Sequence, residues 1–164
     1  MDGHYIHLLS NHFPVILSIT GFIILTFGLF SHSKLVKQVG LAILLAGSIS
    51  TIPAYLSGEE AEHKVEHYNG TSESVIEEHE EEAELAFVFT DVLGVFAFIA
   101  LLLNYRNHRY SMTANRLVWL AGLISVVLLF NVGKSGGQIR RPELRTEQTN
   151  DSTTLNTEHT EEHE

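Results

Sequence analysis

Apolar and polar positions alternate along this chain in blocks rather than residue by residue. Phe13 to Phe30 is an 18-residue run without a charge, and Val39 to Leu56 is another 18. Leu85 to Leu103 runs for 19 residues with Asp91 as its one charge, and Leu117 to Val132 for 16. A hydrocarbon core about 30 Å thick needs about 20 helical residues. Three blocks meet that length directly. The fourth meets it when residues 114 to 134 are counted, with Arg116 and Lys134 reaching to the interfaces. The pattern predicts an all-α integral membrane four-helix bundle with helices over about 13–31, 36–57, 73–105 and 114–133. Together they form a transmembrane domain over 1–143.

The polar stretches carry the rest of the information. The leader MDGHYIHLLSNH has no Lys or Arg, the wrong charge for a signal peptide, so the first block is read as a membrane helix. Lys34 and Lys37 lie between the first and second helices, and Arg106, Arg109 and Arg116 between the third and fourth. The positive-inside rule makes those two loops cytoplasmic. The termini and the loop between helices two and three are then extracytoplasmic, in a bacterial cytoplasmic membrane. The basic residues of the C-terminal segment, Lys134, Arg140, Arg141 and Arg145, oppose this orientation. Residues 144–164 have low hydrophobicity and no period, so an acidic disordered tail is expected there.

Net charge is −10, and residues 59 to 84 hold eleven Glu and one Lys. Nucleic acid is excluded as a partner on that charge. The chain has no cysteine, which excludes disulfides, thiolate metal sites and covalent c-type haem attachment. No HExxH, GxGD or nucleophile elbow points to an enzyme.

What remains is histidine and carboxylate. On a helix over 59–68, Glu59, Glu62, His63, Glu66 and His67 share one face, with Ala61, Val65 and Tyr68 on the other. This predicts an acidic amphipathic connector whose polar side consists of metal-ligand types. His63 and His67, at i and i+4, are within reach of one ion. Ser74-Val-Ile-Glu77 fits a capping box, so the third helix starts near 72–74 and projects beyond the membrane. On it, Ile76, His79, Ala83, Ala86 and Thr90 form a small, largely apolar stripe, the natural packing face, which points His79 inward. His12 precedes Phe13-Pro14 at the mouth of the first helix. His159 and His163 in the tail are again four apart within acid.

Asp91 lies six residues past Leu85, about 9 Å along the helix. A charge at mid-bilayer costs about 2.5–3.5 kcal/mol on insertion scales and faces the bundle interior. At the same depth the other helices offer Ser18 to Thr20, Ser50 and Thr51, and Ser125. A hydroxyl layer around Asp91 is therefore expected. Asp91 is there either as a hydrogen-bonded, protonated carboxyl or as a proton or cation acceptor beneath a surface site. Pro53 near the end of helix two frees a backbone carbonyl close by. Gly21 and Gly28, with Ala42, Ala46 and Ser50, allow close helix contact within the bundle or with a partner.

The His-Phe-Pro opening and the run GEEAEHKVEHYNGTSESVIEEHEEEAE resemble a bacterial family of uncharacterised predicted membrane proteins. The resemblance covers about residues 7 to 143 and implies four transmembrane helices. Glu59, Glu62, Glu66, His67, Glu77 and His79 match its signature and His63 does not, which favours His67 with His79. Some relatives are fused to cytochrome-like modules, which implies redox or haem chemistry.

Two cofactor readings compete. A transition metal (zinc, iron, copper or nickel) would be held by His12, Glu59, Glu62, His63, Glu66, His67 and His79. Alternatively, haem b would be held by His12 and His79 in a b-type cytochrome. A third reading makes the chain a non-catalytic subunit of a membrane complex. The partners expected are the lipid bilayer and a membrane-complex or redox protein.

Overall fold

The computed structural model describes the backbone over residues 10–65 and 73–140, and side chains over 10–57 and 76–137. Four helices fill it: α1 (His12–Phe30), α2 (Lys34–Val65), α3 (Glu73–Tyr105) and α4 (Ser111–Arg140). All four are long and apolar enough to cross a membrane, over His12–Phe30, Lys34–Ser57, Ile76–Tyr105 and Ser111–Gly137. No strand occurs among the described residues.

Two short turns reverse the chain at one end, between α1 and α2 and between α3 and α4. Each uses a left-handed residue, His32 (φ 56°) and Asn107 (φ 51°). The turns meet through Lys34, whose Nζ donates to Asn107 Oδ1 at 2.6 Å. Around the ring α1 packs on α2, α2 on α3, α3 on α4, and α4 back on α1. The start of α1, the end of α2, the start of α3 and the end of α4 therefore gather at the opposite end. That end carries the acidic sequence.

Because lipid is as apolar as leucine, the bundle does not sort hydrophobic residues inward as a soluble one does. Phe27, Phe30, Val95 and Phe130 are more than half exposed, on the lipid-facing side. The interior is built from Leu25, Leu41, Leu44, Leu93, Ala97, Ala100 and Val118. Close backbone approach, not side-chain size, brings α1 to α2. A Cβ added at Gly40 would stand 2.6 Å from the Leu25 nitrogen, and one at Gly28 2.7 Å from the Lys37 nitrogen. Gly21 meets Leu44 in the same way, at 2.8 Å. Gly21 and Gly28 thus do what the sequence suggested. On α2, however, Ala42 and Ala46 face outward. Ser50 donates to its own helix at Gly47 O. The small residues of α2 that meet neighbours are Gly40, Gly47 and Ser48.

The α1–α4 contact is aromatic and polar. Phe22 stacks on Trp119 with centroids 5.7 Å apart. The Trp119 indole N–H donates to Thr26 Oγ1 at 2.8 Å, and the Thr26 hydroxyl donates to Phe22 O. Between α3 and α4, Asn104 and Asn115 are both buried. They exchange amide hydrogen bonds, Asn104 Nδ2 donating at 2.6 Å and Asn115 Nδ2 at 3.2 Å.

Two boundaries differ from expectation. Helix α2 does not stop near residue 57: it continues through Pro53 to Val65. The acidic connector up to Val65 is therefore a C-terminal extension of α2 rather than a separate segment. Pro53 removes one N–H, the donor to Ile49 O, but the helix formers that follow (Ala, Leu, Glu, Lys) sustain the helix beyond it. Helix α4 runs from Ser111 to Arg140 rather than 114 to 133, continuing through Gly136 and Gly137. Contact with α3, described next, holds that extra length.

Candidate functional site

Beside the Asn104–Asn115 pair, two further groups of polar side chains lie inside the bundle. The first is the layer at Asp91. Ser48 Oγ donates to Asp91 Oδ1 at 3.2 Å, and Thr51 Oγ1 donates to the same oxygen at 2.7 Å. The approach depends on Gly94, because a Cβ there would overlap the Ser48 side chain. One residue before Asp91, the Thr90 hydroxyl pairs with Ser125 of α4 at 2.8 Å, both fully buried. On α1, Ser18 is 1% exposed and its Oγ has no hydrogen-bond partner among the described residues. It lies against Gly47, next to Ser48. All four helices thus contribute hydroxyls to one depth. Ser18, Thr51 and Ser125 were legible as members, whereas Ser48 takes the place expected for Ser50.

The second group lies toward the acidic end. Ile76 and Ala86 are buried and Ala83 is half-buried, so the inward stripe of α3 extends past its membrane-spanning part. His79 sits on that stripe. Its Nδ1 lies 2.8 Å from the Ser135 hydroxyl of α4, and Ser135 is itself 7% exposed. Gly136 lets the ring come close, since a Cβ there would be 3.1 Å from His79 Cε1. This contact docks the far end of α4 and explains its length. Histidines that bind metals are commonly oriented by such a hydrogen bond through their other nitrogen.

Glu82 follows His79 by three residues, on the same helical face. Its Oε2 is buried and has no hydrogen-bond partner among the described residues. Sequence reasoning missed Glu82, because it is one of a dense run of glutamates. Its place four residues before buried Ala86 and three after His79 was the available signal. Chemically the pair brings together an imidazole held by Ser135 and a carboxylate oxygen that is unsatisfied among the described residues. That is an incomplete ligand set, and a costly one to leave without a cation or proton.

The other expected residues divide. His12 is exposed, and its ring contacts the neighbouring Asn11 side chain. It stands on α1, which packs on α2 and α4, whereas His79 is on α3. The ring thus does not pack the helix of His12 on the helix of His79, as a haem held by both would ask. Glu59, Glu62 and His63 lie on the described helix α2, but their side chains are outside the described residues. Glu66 and His67 lie outside them altogether, as does the tail with His159 and His163. Among the described residues no three His, Asp or Glu side chains gather as a metal-binding group.

The family described as Predicted membrane protein (DUF2231) matches residues 3–141. The chain belongs to that family. The match spans all four helices, including the acidic extensions of α2 and α3 and the segment of α4 that carries Ser135. No curated protein and no solved structure matches the chain.

Proposed function

We propose that this DUF2231 protein binds a transition-metal cation at the acidic end of its bundle, on the extracytoplasmic side of a bacterial cytoplasmic membrane. One observation carries the reading: the buried, unpartnered carboxylate oxygen of Glu82, one helical turn from His79. A buried carboxylate without a donor is costly, and a bound cation removes that cost. A nitrogen and oxygen donor set without thiolate suits zinc, iron, nickel or copper(II). His79 and Glu82 supply the first two ligands, and Ser135 fixes the imidazole. The remaining ligands come from Glu59, Glu62, His63, Glu66 and His67 at the end of α2 and beyond it. The surrounding glutamates raise the local cation concentration.

Haem b between His12 and His79 is the weaker reading, since His12 is exposed and engaged with Asn11. Elemental analysis and a visible spectrum of the purified full-length chain separate the two. The metal reading expects bound metal that is lost in both His79→Ala and Glu82→Gln, without a Soret band. Background metal content in the wild type, with no stabilisation by added zinc, copper(II), nickel or iron(II), would sink it. A Soret band that disappears in His12→Ala would replace it with the haem reading.

A further inference from the structure

The hydrogen atoms around Asp91 can be placed in two ways, which differ in whether the carboxyl carries a proton. Thr51 Oγ1 stands 2.7 Å from Asp91 Oδ1 and 2.5 Å from the Ser48 carbonyl oxygen. Both distances are hydrogen bonds, yet a hydroxyl carries one proton. If that proton points to the Ser48 carbonyl, the contact with Asp91 needs a second proton, and the carboxyl is the group that can supply it. If it points to Asp91, the carboxyl is an anion receiving two hydroxyl donors, Thr51 and Ser48, and the Ser48 carbonyl gives up its hydroxyl partner. The two arrangements differ by one proton on the carboxyl and by the rotation of the Thr51 hydroxyl.

We propose that Asp91, Thr51 and Ser48 form a proton-binding site within the membrane-spanning part of the bundle. In the loaded state the Asp91 carboxyl O–H donates to Thr51 Oγ1, and the Thr51 O–H donates to Ser48 O. Release takes one proton from the carboxyl. The Thr51 hydroxyl then turns onto the carboxylate, where the Ser48 hydroxyl already donates. One proton leaves, and no covalent bond other than the carboxyl O–H is broken.

The surroundings suit a proton. Ser48 and Thr51 are 6% and 4% exposed, so bulk water does not supply the missing partner. Facing Asp91 from α2 are hydroxyls alone; the nearest titratable residue on that helix is Tyr55, one turn beyond Thr51 and stacked on Phe87 at 4.4 Å. No titratable residue lies on α1 between His12 and His32, or on α4 between Arg116 and Lys134. On α3 itself the neighbours are Glu84 and Tyr105, two turns or more away. A carboxyl in the membrane with no cation beside it exchanges charge by gaining or losing a proton. The unpartnered hydroxyl of Ser18, in the same layer, is a further polar group held out of contact with lipid.

The site is independent of the metal reading: Asp91, Thr51 and Ser48 share no residue with His79 and Glu82, and its test does not depend on bound metal. The test is pH-difference infrared spectroscopy on the full chain in nanodiscs, following the carbonyl stretch of a protonated carboxylic acid. The wild type is expected to give such a band that titrates with pH and is absent in Asp91→Asn. Thr51→Val is expected to shift the band, because its hydrogen-bond acceptor is lost, while Thr51→Ser keeps it in place. If Asp91→Asn does not fold, the Thr51 pair carries the test, with size-exclusion elution verifying the fold. Spectra that are the same in wild type and Asp91→Asn, or a band unmoved by Thr51→Val, would overturn the proposal. So would a band abolished at fixed pH when choline chloride is replaced by sodium chloride, which would make this a sodium site.

Discussion

The two ends of the bundle treat buried polar groups in opposite ways. At the short-turn end Asn104 and Asn115 are buried, and each amide serves as both donor and acceptor to the other. The Lys34 ammonium is tied to Asn107 across the two turns. At the acidic end Glu82 keeps a buried carboxylate oxygen without a donor, beside a histidine oriented by Ser135. Self-satisfied polar pairs fix helix register and have nothing left to offer a ligand. An unsatisfied carboxylate is a cost that selection retains when something binds there. The first end reads as structure and the second as a site.

That contrast can be broken in several places. The largest effect is expected where helices touch backbone to backbone. Gly40→Val would drive its side chain into Leu25 and cost about 3 kcal/mol, the upper part of the range for overpacking. Unfolding in mixed micelles measures it. Next comes the amide pair. Asn104→Leu alone strands the Asn115 amide and should cost about 1–3 kcal/mol. The double variant with Asn115→Leu should recover most of that, because neither polar group is then left alone. At the acidic end the sign differs: without metal, Glu82→Gln should leave thermal stability unchanged or raise it, since it removes the charge from a half-buried carboxylate whose Oε2 has no donor among the described residues. A loss as large as that of Asn104→Leu would mean that Glu82 is structural and would erase the distinction between the ends. The smallest effect is expected for Ser135→Ala, which frees the His79 ring without removing a ligand. Metal affinity should fall about 10-fold, the lower part of the range for groups that orient a ligand, as read by competition with a chelating dye.

Much of the architecture was legible because a membrane imposes a length. The four apolar runs became α1 to α4, and α3 starts at Glu73, within the 72–74 expected, although Ser74 then lies inside the helix rather than capping it. The inward stripe through Ile76, His79, Ala86 and Thr90 was legible too, because its small and polar residues contrast with lipid-facing Val and Phe. Inside the other spans that contrast fades. Ala42 and Ala46 look as suitable for packing as Gly40 and Gly47, and only the phase of α2 against α1 separates them. Ser48 and Ser50 differ in the same way: one meets Asp91 and the other its own backbone. Glu82 was hidden for a different reason. It is chemically identical to its neighbours Glu80, Glu81 and Glu84, and becomes distinct only through the burial of its Oε2 in the fold. The end of α2 was misjudged because the apolar run stops at Leu56, whereas helix-forming residues beyond it carry the helix on to Val65.

In the proposed function the acidic end holds a cation, whereas the opposite end satisfies its own polar groups. The most direct measurement is the melting temperature of the full chain in detergent as zinc chloride is added, for the wild type and for His79→Ala and Glu82→Gln. A metal that binds the folded state alone adds about 2.7 kcal/mol at a hundredfold excess over Kd. The account predicts a zinc-dependent rise in the wild type that is absent from both variants. An equal rise in all three, or none in any of them with zinc, copper(II), nickel or iron(II), would contradict it.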